Sequence, residues 1–99
     1  MRIISRKALR DFWENPGRRD AEQPLKAWFR EASHADWSSP ADVKAAFATA
    51  SIVASGRVVF NIAGNKYRLV VKINYAYRIV YIRFVGTHRE YDQVDVTTV

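Results

Sequence analysis

The chain has no cysteine, only three prolines and four glycines among its 99 residues, and no long apolar run. Without cysteine it has no disulfide, no thiol catalyst and no cysteine-based zinc site. A small chain without disulfides is typical of intracellular proteins. The chain contains no stretch of about 18 apolar residues, which is the length needed to span a membrane. No apolar run of signal-peptide length follows the basic N-terminus. We therefore expect a cytoplasmic protein that does not contact membranes.

Length and composition predict a single domain, residues 1–99, with one core. Hydrophobic residues make up 48% of the chain and charged residues 26%. These proportions are those of an ordinary globular protein, and they exclude disorder on a large scale.

Acidic residues are fewer than basic ones, so the chain carries a net charge of +6. Residues 1–50 contribute nine basic and seven acidic side chains, whereas residues 51–99 contribute seven and three. A basic surface favours a polyanionic partner, and nucleic acid is the commonest such partner of a small protein. Charge alone leaves two alternatives open: an excess that serves solubility, and an acidic partner protein.

Apolar residues at helical spacing predict three helices in the first half of the chain. The first follows a cap at Ser5 and ends at Asn15-Pro16-Gly17. The second has Pro24 in its first turn, because a deeper proline would remove a hydrogen bond. The third has Ser39 as its cap and Pro40 at its first position. Their predicted core residues are Ala8, Leu9, Phe12 and Trp13; Ala21, Leu25, Trp28, Phe29 and Ala32; and Val43 and Phe47.

From Ile52 onward the apolar period changes to two, which predicts a β-meander. Gly64-Asn65 is typical of a type II′ hairpin turn. Closing the hairpin there places Phe60 opposite Leu69 and Asn61 opposite Arg68, so the apolar faces of the two strands coincide. Helices followed by a meander predict an α+β fold, with N-terminal helices packed on a small antiparallel sheet.

The last predicted strand runs from Arg78 to Val85 and ends at Gly86. Simple alternation places its apolar residues Val80, Ile82 and Phe84 in the core, because Arg83 is not expected to be buried. The second face of the sheet is then expected to be basic. It would display Lys66, Arg68, Lys72 and Arg83, with Tyr81 among them.

Three residues on or beside this face could carry chemistry. Arg68 could bind a phosphate through two hydrogen bonds, or it could be a surface arginine in an ion pair. His88 could transfer protons near neutral pH, or it could be an ordinary loop residue. Tyr91 could donate a hydrogen bond, stack on a base or give up a proton, or it could cover the end of the sheet. Alternate spacing is expected to direct Glu90 and Asp92 away from His88 and Tyr91.

The sequence lacks the signatures of several catalytic classes. Two histidines 54 positions apart, without clustered carboxylates, do not form a recognisable metal site. There is no phosphate-binding glycine loop and no serine triad signature, and no cofactor is expected. The chemistry that remains is proton transfer together with stabilisation of a transition state by cations. It suffices to cleave RNA, which supplies its own 2′-hydroxyl nucleophile, but it does not suffice for DNA.

Two segments together resemble a known family. VFNIAGNKYRLVVKI (59–73) followed by IRFVGTHREYD (82–92) is similar to the HigB toxins of bacterial toxin–antitoxin modules, a branch of the RelE-like ribonucleases. The resemblance extends upstream through ADWSSPADVKAAF (35–47) and covers roughly residues 5–95.

The resemblance implies N-terminal helices on a strongly twisted antiparallel sheet. It also implies metal-independent cleavage of mRNA in the ribosomal A site by 2′-hydroxyl attack, and neutralisation by a helix-turn-helix antitoxin of the HigA type. By this resemblance, Arg68 is expected to be the arginine that stabilises the transition state. His88 and Tyr91 are expected to be proton-transfer, stacking or hydrogen-bonding groups. The expected RNA-binding residues are Asn61, Lys66, Lys72, Arg83 and Arg89.

Two other functions fit the same residues. A non-catalytic module of the same fold could bind RNA or the ribosome through the charge of the sheet alone. A small structural or adaptor domain could carry the basic face without using it.

Overall fold

The computed structural model describes residues 1–99, and the predicted α+β class is confirmed. The elements in chain order are β1 (Arg2–Ile4), α1 (Arg6–Trp13), α2 (Glu22–His34), α3 (Pro40–Ala46), β2 (Ser51–Ile52), β3 (Arg57–Ile62), β4 (Tyr67–Asn74), β5 (Ile79–Thr87) and α4 (His88–Tyr91). A 3₁₀ turn at Arg19–Ala21 leads into α2. None of the helices combines the length and apolar character needed to cross a membrane.

The three predicted helices are confirmed. Ser5 and Ser39 occupy the N-cap positions of α1 and α3, although neither side chain makes a capping hydrogen bond. At α3, the Ser38 N–H instead donates to the Asp42 carboxylate at 2.9 Å. Pro24 is the third residue of α2, where a backbone N–H would have no partner within the helix.

The five strands form one sheet in the order β1-β5-β4-β3-β2. Strands β2 to β5 pair antiparallel, as predicted. Strand β1 pairs parallel to β5, which makes the sheet mixed. The hairpin register is confirmed, because Phe60 pairs with Leu69 and Asn61 with Arg68. The Lys66 N–H donates to the Ala63 carbonyl at 3.3 Å across this turn.

The face prediction for β5 was wrong beyond Ile82, because a β-bulge interrupts the pairing with β4. Val71 pairs with Ile82 and Val70 with Phe84, so Arg83 is an extra residue without a partner. An inserted residue reverses the in–out alternation. Val80 and Ile82 face the core as predicted, whereas Val85 takes the place expected for Phe84.

The strand also continues past its predicted end. Gly86 pairs with Arg68 and Thr87 with Tyr67. Phe84 and Gly86, two residues apart, lie on the outer face, the face of the sheet turned away from the helices. A side chain at Gly86 would meet the Phe84 ring, since a Cβ there would lie 2.6 Å from Phe84 Cζ.

The core lies between the helices and the inner face of the sheet, and aromatic rings fill its centre. The Phe60 ring lies 5.4 Å from that of Trp28 and 5.1 Å from that of Phe47, measured between centroids. The rings of Phe12 and Tyr67 meet edge to face at 5.3 Å, which joins α1 to β4. Such pairs each contribute about 0.5–1.5 kcal/mol beyond the area they bury.

The outer face is less open than the sequence predicted. Val59 and Val70 pair with each other on this face and are 4% and 0% exposed, although neither belongs to the main core. The chain returns across this face after α4. The Val99 main-chain oxygen accepts hydrogen bonds from Arg57 Nε (3.1 Å) and Nη2 (2.9 Å), and from Arg83 Nε (3.2 Å).

Gly86→Ala is expected to lower the free energy of unfolding by about 1–3 kcal/mol, because the added methyl overpacks against Phe84. The cost should shrink in a Phe84→Ala background, and a double-mutant cycle followed by urea unfolding measures that coupling.

Gly17→Ala is the control. Its Cβ would meet no atom within 4 Å, although its φ is +81°, so its cost should not change with Phe84. Equal costs of Gly86→Ala in both backgrounds would contradict the assigned face.

Candidate functional site

Arg68 lies near the start of β4, with its guanidinium on the outer face. It is 9% exposed, and its Nη1 donates to the main-chain oxygens of Asn65 (3.1 Å) and Tyr67 (3.3 Å). Its Cζ lies 6.0 Å from the centre of the Tyr91 ring. No carboxylate pairs with it. The guanidinium is therefore held by neutral groups, and no carboxylate offsets its charge.

A single helical turn, α4, carries the two other predicted catalytic residues. A capping box holds this turn: the Glu90 N–H donates to Thr87 Oγ1 at 3.1 Å, and the Thr87 N–H donates to the Glu90 carboxylate at 2.9 Å. Arg18 reaches across from the loop before α2 and pairs with Glu90 at 2.9 Å. Because so short a helix is unstable alone, these contacts determine where His88 and Tyr91 lie.

His88 has a carboxylate partner that the sequence analysis missed. Asp92 Oδ2 lies 3.3 Å from His88 Nδ1, and the two side chains are 51% and 54% exposed. The prediction that Glu90 and Asp92 point away was based on strand alternation. It was wrong for Asp92, because this segment is helical and residues four apart share a face. The Thr87-x-x-Glu90 spacing, a capping-box signature, was the signal that could have revealed the helix.

The structure brings Arg68, His88 and Tyr91 to one place. Arg68 lies under the Tyr91 ring, and the His88 N–H donates to the Lys66 carbonyl at 3.1 Å. His88 and Tyr91 are three residues apart on α4, so their side chains are neighbours. Asn61 pairs with Arg68 and is half-buried on the same face. A guanidinium and a phenol thus meet at one end of β4, and an imidazole lies on the helical turn that follows β5.

Lys66 is committed to a structural ion pair. Its amino group bonds to Asp20, which also accepts a 2.5 Å hydrogen bond from the buried Tyr67 hydroxyl. The hydrogen bonds from Lys66 and Tyr67 lower the pKa of Asp20. Burial, with a smaller effect from Asp20, raises the pKa of Tyr67. Of the predicted RNA-binding residues, Lys66 is the one whose charge is already matched by an acid.

Lys72, Arg83 and Arg89 have no carboxylate partner. Arg89 is exposed on α4, beside the three predicted catalytic residues. Lys72 and Arg83 instead lie toward the other end of the sheet, and both line one pocket. The predicted RNA-binding residues therefore form two groups rather than one continuous patch.

A feature of the sequence explains why these cations are unpaired. Between Asp42 and Glu90 the chain has no acidic residue at all, yet the same stretch holds eight lysines and arginines. Any carboxylate partner must therefore come from outside the central strands, as Asp20 does for Lys66 and Asp36 for Arg78. No three His, Cys, Asp or Glu side chains lie close enough together to hold a metal ion.

The chain is similar in sequence to proteins of a known family. Residues 21–94 match the model of the HigB toxin family, described as the RelE-like toxic component of a toxin–antitoxin system. The chain is 32% identical over 94 residues to the mRNA interferase toxin HigB of Escherichia coli K12, covering 93% of this chain and 88% of that protein. It is similar to the same extent to the mRNA interferase HigB of Escherichia coli O157:H7 and that of Shigella flexneri.

Glu90→Gln is expected to reduce the acid sensitivity of folding. Hydrogen bonding from Thr87, followed by Arg18, lowers the pKa of Glu90 below 4.5. Its stabilising effect is therefore complete above about pH 4.5 and is lost as the pH falls through the folded value. Urea unfolding should show the variant less stable than wild type by up to about 1 kcal/mol near neutral pH, as for an exposed ion pair. In strong acid the two should converge.

Glu14→Gln is the matched control, because Glu14 is exposed and forms no ion pair. It should change stability near neutral pH by less than about 0.5 kcal/mol. If the gap between wild type and Glu90→Gln were as large in strong acid as at neutral pH, the ion pair with Arg18 would not be its cause.

Proposed function

The chain belongs to the HigB toxin family, and from that premise we propose that it is a metal-independent, ribosome-dependent endoribonuclease that cleaves mRNA and so inhibits translation. The observation that carries the proposal is that Arg68 lies against Tyr91 at the end of β4, with His88 on the same helical turn as Tyr91. The mRNA interferase names of its relatives agree with this reading.

The proposed reaction uses the 2′-hydroxyl of the RNA as the nucleophile. The O2′–P bond forms as the P–O5′ bond breaks, leaving a 2′,3′-cyclic phosphate and a 5′-hydroxyl. One proton leaves the 2′-hydroxyl and one reaches the departing O5′. Two groups of the site can exchange these protons, His88 and Tyr91, and such transfer contributes typically 10²–10⁴-fold in rate.

Arg68 is proposed to stabilise the charge that builds on the phosphoryl oxygens. A guanidinium fits two such oxygens at once. It acts most strongly where water is excluded, which describes a side chain only 9% exposed. The neutral partners of Arg68 matter here, because a nearby carboxylate would cancel part of its field.

Asp92 is proposed as a positioning residue. Its carboxylate lies beside His88 Nδ1, so the free ring nitrogen, Nε2, is the one that can meet the substrate. A carboxylate on one imidazole nitrogen fixes both the ring orientation and the tautomer. Because both side chains are about half exposed, the effect should be modest.

The partners follow from the proposed reaction. The substrate is mRNA in the ribosomal A site, reached in the cytoplasm, and Asn61, Lys72, Arg83 and Arg89 would hold its backbone. Lys66 would contribute less, because Asp20 already matches its charge. The inhibitor would be a helix-turn-helix antitoxin of the HigA type.

One observation favours a non-catalytic alternative. Arg68 is covered by Tyr91 and by the carbonyls of Asn65 and Tyr67, so little of it meets solvent. A protein that used the exposed cations alone would bind RNA or the ribosome and block translation without cutting. Mapping RNA ends separates the two functions, since blocking leaves mRNA intact.

Arg68→Ala and His88→Ala are each expected to relieve growth arrest when the chain is expressed without an antitoxin. Loss of a transition-state donor lowers the rate about 10²–10³-fold. New 5′ ends mapped within codons of cellular mRNA should appear with the wild type and vanish with either variant. Lys7→Ala is the control, since Lys7 pairs with Asp11 on the exposed surface of α1. Intact transcripts during wild-type arrest would favour the blocking function.

Cleavage is expected to be unaffected by chelation of transition metals, because the proposed reaction needs no metal ion; the end groups of the products test the same point for Mg²⁺, which the ribosome requires. Purified protein, ribosomes and mRNA would be mixed with an excess of EDTA over any transition metal, while enough free Mg²⁺ is kept to preserve the ribosome. Products carrying a cyclic phosphate would support 2′-hydroxyl attack. Products carrying a 3′-hydroxyl would contradict it.

A further inference from the structure

A pocket of about 460 Å³ lies on the sheet away from Arg68, His88 and Tyr91. Its lining comes from the end of β4, the following turn and β5. The side chains that matter here are Lys72, Tyr75, Tyr81 and Arg83. Two cations and two aromatic rings therefore surround one concave site, whose volume falls in the range of ligand pockets.

The backbone explains why these groups meet. Lys72 pairs with Tyr81 across β4 and β5, so their side chains are neighbours on the outer face. Arg83, two residues beyond Tyr81, adds a third side chain to the pocket lining. Without the bulge, strict alternation would place Val85 on this face beside Tyr81 and Arg83. With the bulge, Phe84 lies on this face instead.

No Asp or Glu side chain pairs with the charges in the pocket. Lys72 is exposed and forms no ion pair, and Arg83 donates only its Nε–H, to the Val99 main-chain oxygen at 3.2 Å. The two terminal nitrogens of Arg83 have no partner. Burial raises the pKa of Tyr75, so its hydroxyl remains a hydrogen-bond donor at neutral pH. Aromatic rings for bases beside cations for phosphates are the pattern of single-strand binding sites.

We infer that this pocket is a second RNA subsite, which binds a base on its tyrosines and the backbone on Lys72 and Arg83, in the same strand as the phosphate held by Arg68. The inference rests on the proposed function for the identity of that strand. Lys72 is four residues beyond Arg68 on β4, which is about 13 Å along the strand. That distance corresponds to roughly four nucleotides of a stacked strand.

The test measures binding rather than cleavage, on the full-length chain carrying His88→Ala. The probes are fluorescently labelled single-stranded RNA, a dinucleotide and an octanucleotide, titrated at several salt concentrations. The octanucleotide is long enough to occupy both subsites at once, whereas the dinucleotide can occupy only one of them at a time.

Tyr81→Ala is expected to weaken octanucleotide binding about tenfold, the lower part of the range for base stacking, and to weaken dinucleotide binding less, because a dinucleotide can occupy the Arg68 subsite instead. Tyr81→Phe should retain most of the affinity, because the ring is kept. Tyr77→Ala is the matched control: Tyr77 belongs to the same β4–β5 turn, is 77% exposed and does not line the pocket. It should bind like the parent.

The double variant Lys72→Ala/Arg83→Ala should reduce the slope of log affinity against log salt by about 1.4, since each contact to a single-stranded phosphate contributes about 0.7. Arg10→Ala, a change of an exposed cation on α1, should leave the slope unchanged.

Several results would overturn the inference. The inference fails if the parent does not bind the octanucleotide, or if Tyr81→Ala and Tyr77→Ala lose the same affinity for it. It also fails if Tyr81→Ala weakens the binding of both RNA lengths equally. Polyglutamate that binds as tightly as RNA would indicate an acidic protein partner instead. If the wild type leaves mRNA intact while Tyr81 still governs octanucleotide binding, the subsite stands and the proposed cleavage fails.

Discussion

The pairing of Arg68 with Asn61 on one side and Gly86 on the other is the constraint on which the candidate site depends. Strand β4 is central in the sheet, so both neighbours fix its position. Gly86 has no side chain, which leaves space on the outer face where Phe84, Glu90 and the start of α4 come close together. The sheet thus holds the guanidinium and directs the next helical turn over it.

Charge is distributed so that the cations serve two different purposes. Several of those on the helices and turns are matched by acids, as in the Lys26–Glu22 and Arg78–Asp36 pairs. Those on the outer face of β4 and β5 are not, because the strands contain no acidic residue. An ion pair at the surface adds little stability, so leaving the exposed Lys72 and Arg83 unpaired costs the fold little and keeps their charge available for a polyanion.

The sequence predicted the elements whose period is regular. Helical spacing located the first three helices, and the turn at Gly64 set the register that places Asn61 beside Arg68. It failed where regularity ends. Strict alternation could not reveal the bulge at Arg83, and it assigned Phe84 to the core. The single turn of α4 was hidden because one turn has no periodicity, although its capping signature was present. No element was predicted for the segment after α4, and its return across the sheet to Arg57 and Arg83 is a tertiary effect.

The capping box of α4 has a consequence for genetics. His88 and Tyr91 share one turn of helix, whose hold on the sheet depends on Thr87, Glu90 and Arg18. If the turn unwinds, both side chains are displaced together, so loss of this support would remove both residues from the proposed site at once. A cell forced to carry such a gene without its inhibitor would therefore find escape mutations not only in the residues of the proposed site, but also in Thr87, Glu90 and Arg18, which hold the turn in place.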